Sequence, residues 1–414
     1  MSLIVSQRFS LRLCAIALAF GIAGLASCVA PPPPPPPPPV VVAAPPPPVA
    51  GHPLLSDSPQ FLRLPNLPPG QTPVRVGVIL PTGNSTPATK ALAAAMMKAA
   101  QLALYDAKNP NILLMTADEG NRPEDAAAAA NKLLAQGAEI IVGPLFGANV
   151  GAVAPIARDR GVPVLAFSTE KSVAGKGVYL LSFMPQSEVK RVVAYAASQG
   201  HRDFAALVPQ NPYGDVIAES FSQSVKAAGG NTLDVERFTP NSSAVIPPAE
   251  KMATTPADAL MIASAGALLR AIAPSLGFSG LDKEKVKLLG TRQWNDSTLA
   301  REDMLLGSWF AAPSPEADAA FTARYHETFG TNPPQLASLA YDAVALVALL
   351  SGGTPYHRFT QEALMDPNGF AGVDGIFRFN ADGTSERGLA VLEIQNDGFH
   401  VVSPAPASFQ AAGF

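Results

Sequence analysis

The sequence predicts an α/β protein: two doubly wound lobes with parallel sheets, carried behind a leader and a proline-rich linker. Three observations lead there. From Val74 onward, short β-branched runs alternate with longer alanine-rich stretches of helical period. The alternation comes in two successive series, and its strands are almost continuously apolar, as strands covered on both faces are. Ahead of them, 13 of the chain's 42 prolines fall within residues 31–48. A chain of 414 residues, 48% hydrophobic and 15% charged, is long enough for two packed lobes.

The elements follow in order. VRVGVIL (74–80) precedes a helix over about 86–107, NILLMTA (111–117) one at about 123–136, and EIIVG (139–143) one at about 147–160; VPVLAF (162–167) adds a fourth strand. The second series has strands DFAALVP (203–209), TLDVERF (232–238), DALMIAS (258–264) and VKLLGT (286–291), separated by helices at about 213–228, 245–255 and 265–277. GSWFAA (307–312), two helices at about 316–329 and 335–351, and an antiparallel pair near 373–379 and 388–395 complete the chain. This order divides residues 74–188 with 311–372 into lobe 1 and 189–310 with 373–404 into lobe 2.

Residues 13–26 (LCAIALAFGIAGLA) follow Arg8 and Arg12 and form an apolar run of 14, short of the ~20 a spanning helix needs. Residues 1–27 therefore read as a signal peptide. It ends in Leu25-Ala26-Ser27-Cys28, which resembles the bacterial lipobox, whose Cys thiol takes up lipid before cleavage. Cys14 leaves with the leader and Cys28 is consumed by lipid, so no thiol remains for disulfide or redox chemistry. Position 29 is Val rather than the Asp that retains lipoproteins at the inner membrane, a resemblance that favours the outer membrane. Residues 28–73 form the linker. Its nine consecutive prolines (31–39) and four more (45–48) favour polyproline II. At ~3.1 Å per residue, 31–48 spans roughly 55 Å.

With 29 Lys+Arg against 33 Asp+Glu the net charge is −4. The leader holds two of the arginines and no acid, so the chain from Cys28 onward has 27 basic and 33 acidic residues, net −6. That excludes a basic nucleic-acid footprint.

Several segments resemble the type I periplasmic binding fold, in its branched-chain amino-acid-binding branch. Ile140-Ile141-Val142-Gly143-Pro144 is similar to its strand-to-Gly-Pro turn, and Val162 to Thr169 (VPVLAFST) to its next strand and polar loop. Asn211-Pro212-Tyr213-Gly214 is similar to its first second-lobe loop, Phe321 to Ala345 to its long helical pair, and Phe370 to Phe379 to its closing strand pair. The resemblance covers about 74–402 and implies a ligand cleft beyond the carboxyl ends of the strands.

It also implies a clamp for an amino acid, in which hydroxyls and N–H groups at helix starts hold the carboxylate and a second-lobe acid holds the ammonium. Thr82, Ser168, Thr169 and Tyr213 are the candidate cleft residues. Other positions depart from the pattern. Leu145-Phe146-Gly147-Ala148 stands where relatives commonly place a serine, and Ser264-Ala265-Gly266 carries no carboxylate. Asp296 could supply an acid from another loop, but reads more simply as a helix cap beside Ser297. Gly83-Asn84-Ser85 resembles the family's first binding loop and is equally ordinary turn chemistry.

Catalytic motifs are sparse. Ser168-Thr169-Glu170-Lys171 fits S-x-x-K, but K-T-G is nowhere in the chain. The five histidines (His52, His201, His326, His357, His400) lack H-x-x-x-H spacing, and G-x-x-x-x-G-K-[ST] is absent, so no metal, cofactor or catalytic residue is assigned. A lipid anchor, a stiff spacer and an incomplete clamp together resemble proteobacterial penicillin-binding protein activators, outer-membrane lipoproteins. That resemblance implies a non-enzymatic regulator, facing the periplasm, whose partner is a peptidoglycan synthase. The alternative is a solute-binding receptor of an importer for amino acids or related small molecules.

Overall fold

The computed structural model describes residues 61–409 apart from 66, 68–70 and 84. The leader, Cys28 and prolines 31–48 lie outside the described residues. Lobe 1 opens with β1 (Phe61–Leu62), β2 (Val74–Leu80), α1 (Pro87–Ala107), β3 (Ile112–Asp118), α2 (Pro123–Ala135), β4 (Ile140–Val142), α3 (Gly147–Arg158), β5 (Val164–Ala166) and β6 (Val178–Leu180). Its sheet runs β1-β3-β2-β4-β5-β6, parallel except for β1, which pairs antiparallel with β3.

The chain then crosses through α4 (Pro185–Ser198) into β7 (Asp203–Pro209), α5 (Pro212–Ala227), β8 (Asn231–Phe238), α6 (Ile246–Thr254), β9 (Ala259–Ile262), α7 (Gly266–Phe278), β10 (Lys287–Gly290) and β11 (Trp309–Ala312). It returns through α8 (Pro315–Phe329), α9 (Ala337–Leu350) and α10 (Gln361–Leu364) to β12 (Phe370–Gly372), β13 (Gly375–Phe379) and β14 (Ser385–Arg387), and closes with β15 (Ala390–Gln395) and β16 (Gly398–Ser403). The second sheet has the order β16-β15-β11-β10-β9-β7-β8, and β12-β13-β14 form a small antiparallel sheet of their own.

Burial follows the strand period of two. Val74, Val76, Val78 and Leu80 point into a core under α1, α8 and α9, while Ile79 faces α2 and α3. In lobe 2, Ala205 and Leu207 face α6 and α7, while Phe204, Ala206 and Val208 face α4 and α5. Each sheet is thus covered on both sides, which is why its strands read as continuous apolar runs. Helix α9 is buried from Ala337 through Val347, so its nearly uniform hydrophobicity reflects a helix enclosed on all sides. Helix starts use proline at the first turn with a preceding cap: Thr86 Oγ1 accepts from Thr89 N (3.2 Å), Asn211 Oδ1 from Gly214 N (2.9 Å) and Ser314 Oγ from Ala317 N (3.3 Å).

Two glycines are required by their surroundings. Gly143 has φ +93°, and a Cβ there would lie 2.0 Å from the Ile79 carbonyl oxygen; a Cβ at Gly214 would lie 1.8 Å from that of Pro209. The Gly-Pro turn and the Asn-Pro-Tyr-Gly loop therefore owe their glycines to close backbone approach.

Three sequence expectations need correction. The strand β6 and the helix α4 fall between 167 and 203, where the sequence reading placed no element. The segments near 373–379 and 388–395 do not pair with each other: β13 pairs with β12 and β14, and β15 with β11 and β16. Finally, β11 belongs to the second sheet, and Phe377 and Phe379 pack into the lobe 1 core, so the chain's returns fall after Ala312 and after Arg387 rather than at 310/311 and 372/373.

Candidate functional site

The carboxyl ends of the parallel strands carry the polar loops, the place where ligands bind in open α/β sheets. In lobe 1, Thr82 follows β2 and is exposed, with its hydroxyl 3.5 Å from Asp118 Oδ1, which also accepts from Gly83 N (2.9 Å). Asn84 lies outside the described residues. Ser168 follows β5 and is buried; its Oγ accepts from Glu170 N (3.1 Å), while Thr169 beside it is exposed. Lys171 turns away from Ser168 to pair with Asp382 at 3.2 Å, so the S-x-x-K spacing does not form a nucleophile and base. In lobe 2, Tyr213 opens α5 half-buried, with its hydroxyl 3.0 Å from Thr291 Oγ1. Burial pushes that phenol upward in pKa, so it stays neutral. Among the described residues, no hydrogen bond joins any two of these four. A polar cavity of about 230 Å³ beside Lys171, Gln186 and Lys190 and an apolar groove of about 520 Å³ along α1 and Pro333-Pro334 are lined by other residues.

The charges that sequence reasoning missed are buried at these same strand ends. Glu119, directly after β3, is fully buried, and its carboxylate accepts from Leu145 N, Phe146 N and Asn149 Nδ2, each at 2.9 Å. The two amides lie just ahead of α3, and Asn149 stands in its first turn. Burial raises the Glu119 carboxyl above its ordinary range, and the three donors oppose that rise. Bonds of this charge-assisted kind are worth about 1.5–3 kcal/mol, so an incoming carboxylate would have to displace an internal one that is already well held. Asp296 behaves as the cap the sequence suggested: its Oδ1 accepts from Thr298 N at 3.0 Å, and Arg270 neutralises it at 3.1 Å.

An acid also stands in lobe 2, on α4 rather than in the loop after β9. Glu188 is 5% exposed, accepts from Arg292 N at 3.1 Å and faces Arg292 Nε at 3.7 Å. Its desolvation outweighs the attraction of Arg292, and the carboxyl is pushed up to about 7. The Arg292 guanidinium lies 4.0 Å from the centre of the Phe183 ring, and Nη1 donates to Gln335 Oε1 at 2.6 Å. Among the described residues no group of three or more metal-ligating side chains is present.

The sequence profile of the periplasmic binding protein family matches residues 73–398, which include every strand end described above. The chain belongs to the periplasmic binding protein family. Its fold is that of solved family members. A putative branched-chain amino acid ABC transporter protein from Rhodospirillum rubrum is 19% identical, with TM-score 0.70, over 80% of this chain and 100% of that one. The binding protein LivJ from Streptococcus pneumoniae, in complex with isoleucine, is 21% identical with TM-score 0.57, over 80% and 100%. At these identities the likeness is one of fold. By sequence, the chain is 28% identical over 103 residues to the penicillin-binding protein activator LpoA of Vibrio cholerae. That match covers 24% of this chain and 17% of the activator. An uncharacterized protein of Rickettsia prowazekii, RP748, is 22% identical over 131 residues, 32% of this chain and 35% of that one. The chain thus spans about a third or less of the sequence relatives it matches.

Proposed function

We propose that this protein is an outer-membrane lipoprotein, anchored through Cys28, that activates a peptidoglycan synthase by protein contact and performs no catalysis itself. The observation that carries this reading is the state of the cleft's polar groups. Two amides just ahead of α3 are bonded to Glu119, and the acid of lobe 2 is bonded to Arg292. Groups of the kind an amino-acid clamp would use at each pole are thus engaged within the chain, which suits a domain whose fold serves as a contact surface. The likeness to penicillin-binding protein activators supports the same reading, as do the lipobox and the spacer in the sequence. Among the described residues no helix is long and apolar enough to cross a membrane; anchoring is assigned to lipid at Cys28 on the lipobox in the sequence.

In vivo crosslinking followed by identification of the captured proteins tests this. A peptidoglycan synthase of the penicillin-binding protein class is the expected partner, and capture of importer subunits alone would overturn the reading.

A second reading, a solute receptor using Thr82, Ser168, Thr169 and Tyr213, draws on solved relatives that hold small molecules, one isoleucine and another benzoate. A ligand at 100 times its dissociation constant adds about 2.7 kcal/mol of stability. Thermal melts with leucine, isoleucine and benzoate are expected to show no shift. A clear rise with any of them would favour the receptor.

A further inference from the structure

The backbone passes between the lobes ahead of α4, after Ala312 and after Arg387. Residues 404–409, which follow β16, make a further bridge. At its lobe 2 end, Ser403 closes β16 opposite Val391 of β15. Arg191 on α4 holds this end: its Nε donates to the Leu389 carbonyl at 2.8 Å, and its Nη2 to Ser403 Oγ at 2.7 Å and to the Pro404 carbonyl at 3.2 Å. At the lobe 1 end, Phe409 is 5% exposed, and the Arg378 guanidinium of β13 lies 4.5 Å from the centre of its ring. The edge of that ring occupies the space beside Gly369, just ahead of β12, where a Cβ would come within 2.9 Å of Phe409 Cε2. Midway, Pro406 rests on the third crossing, with its Cγ 3.2 Å from where a Cβ on Gly388 would stand.

The bridge is irregular chain, neither strand nor helix, so its order has to come from its side chains. A buried phenyl ring is the largest such contribution it can make. Five residues separate the anchors Ser403 and Phe409, and two of them, Pro404 and Pro406, have a fixed φ that limits how far the segment can give. We propose that residues 404–409 are a strap that fixes the angle between the lobes: Arg191 holds one end on lobe 2, Phe409 holds the other on lobe 1, and the lobes turn about their crossings only when Phe409 leaves its seat.

Two-lobed folds close on a ligand by rotation about a hinge. Such a rotation displaces the two ends of the strap relative to each other, because each end is held by a different lobe. A ligand in the cleft would therefore have to supply the free energy that separates the strapped from the unstrapped arrangement. Without a ligand, the strapped domain presents one fixed arrangement of its two lobes. The strap is a property of the two-lobed body and holds whichever partner or solute the domain meets.

Spin labels on cysteines at the exposed positions Lys90 on α1 and Glu250 on α6, in the full chain with Cys14 and Cys28 changed to Ser, measure the interlobe distance directly. With the strap unaltered and no ligand added, one distance is expected, any second population staying below about a tenth of the total. Phe409→Ala empties the seat on lobe 1 and is expected to raise a second distance to about half of the total. A second variant keeps both anchors and their packing but inserts Gly-Ser-Gly-Ser between Pro406 and Ala407, adding about 13 Å of chain. Slack of that length is expected to give two distances as well, with the folded core untouched. Two comparable distances in the unaltered chain would overturn the strap. So would a single unchanged distance in either variant, the lengthened one deciding alone should Phe409→Ala fail to fold.

Discussion

Arg387→Met is expected to cost about 3–5 kcal/mol of unfolding free energy near neutral pH, a large part of the 5–15 kcal/mol that holds a typical domain. Arg387 is 6% exposed and faces Asp342, itself 1% exposed. The variant removes the guanidinium bonded to that carboxylate and leaves it Val373 N, at 2.8 Å, as a donor. Burial already raises the Asp342 carboxyl, chiefly against the pull of Arg387, so losing Arg387 raises it further. A group whose folded pKa is raised contributes stability that is complete below its unfolded value, near 3.8, and is lost as pH rises through the folded one. The deficit should therefore be small at about pH 5 and large at about pH 8. Urea melts at the two pH values measure it, and a deficit equal at both would contradict the account. The paired change Asp342→Leu with Arg387→Met should recover most of the loss, because it removes the stranded charge along with its partner.

What the sequence made legible, and what it did not, divides along the range of the forces involved. Strands such as β2 and β7 were readable because seven consecutive residues are packed on both faces, a local and repeated signal. The three-residue strand β6 follows a turn containing Gly175 and Gly177, too short a run to stand out. Helix α4 is different: Val189, Val192, Val193, Ala196 and Ala197 lie on one buried face at helical spacing, so the signal for it was present in the residues. Strand partnership in the closing segment was beyond local reasoning, because β15 takes its partner from residues 309–312. The same holds for the site. The hydroxyl-bearing loops follow strands and can be found by position, but Glu119 and Glu188 look like surface acids in the sequence. Their partners lie 26 and 104 residues away, and only the fold shows that they are buried.

Deleting residues 31–48 is expected to abolish activity in cells while leaving the folded domain and its intrinsic affinity intact. The deletion removes 18 residues, 13 of them proline, and with them roughly 55 Å of reach if they extend as the composition predicts. None of the described strands or helices is touched, since the first of them begins at Phe61. If the domain must reach a partner held in the opposite membrane, a tether too short to span the gap lowers the effective concentration of one at the other towards zero. The purified variant should then bind and stimulate its synthase in solution as the full chain does, yet fail to support cell-wall synthesis when it is the only copy in the cell. Restoring span with a flexible Gly/Ser segment should rescue much of the activity, although a coil of the same residue number reaches less far than a proline-rich one and needs to be longer. Arrest in solution as well as in cells would place the defect in the contact surface, and full activity of the deletion in cells would refute spanning as the purpose of the prolines.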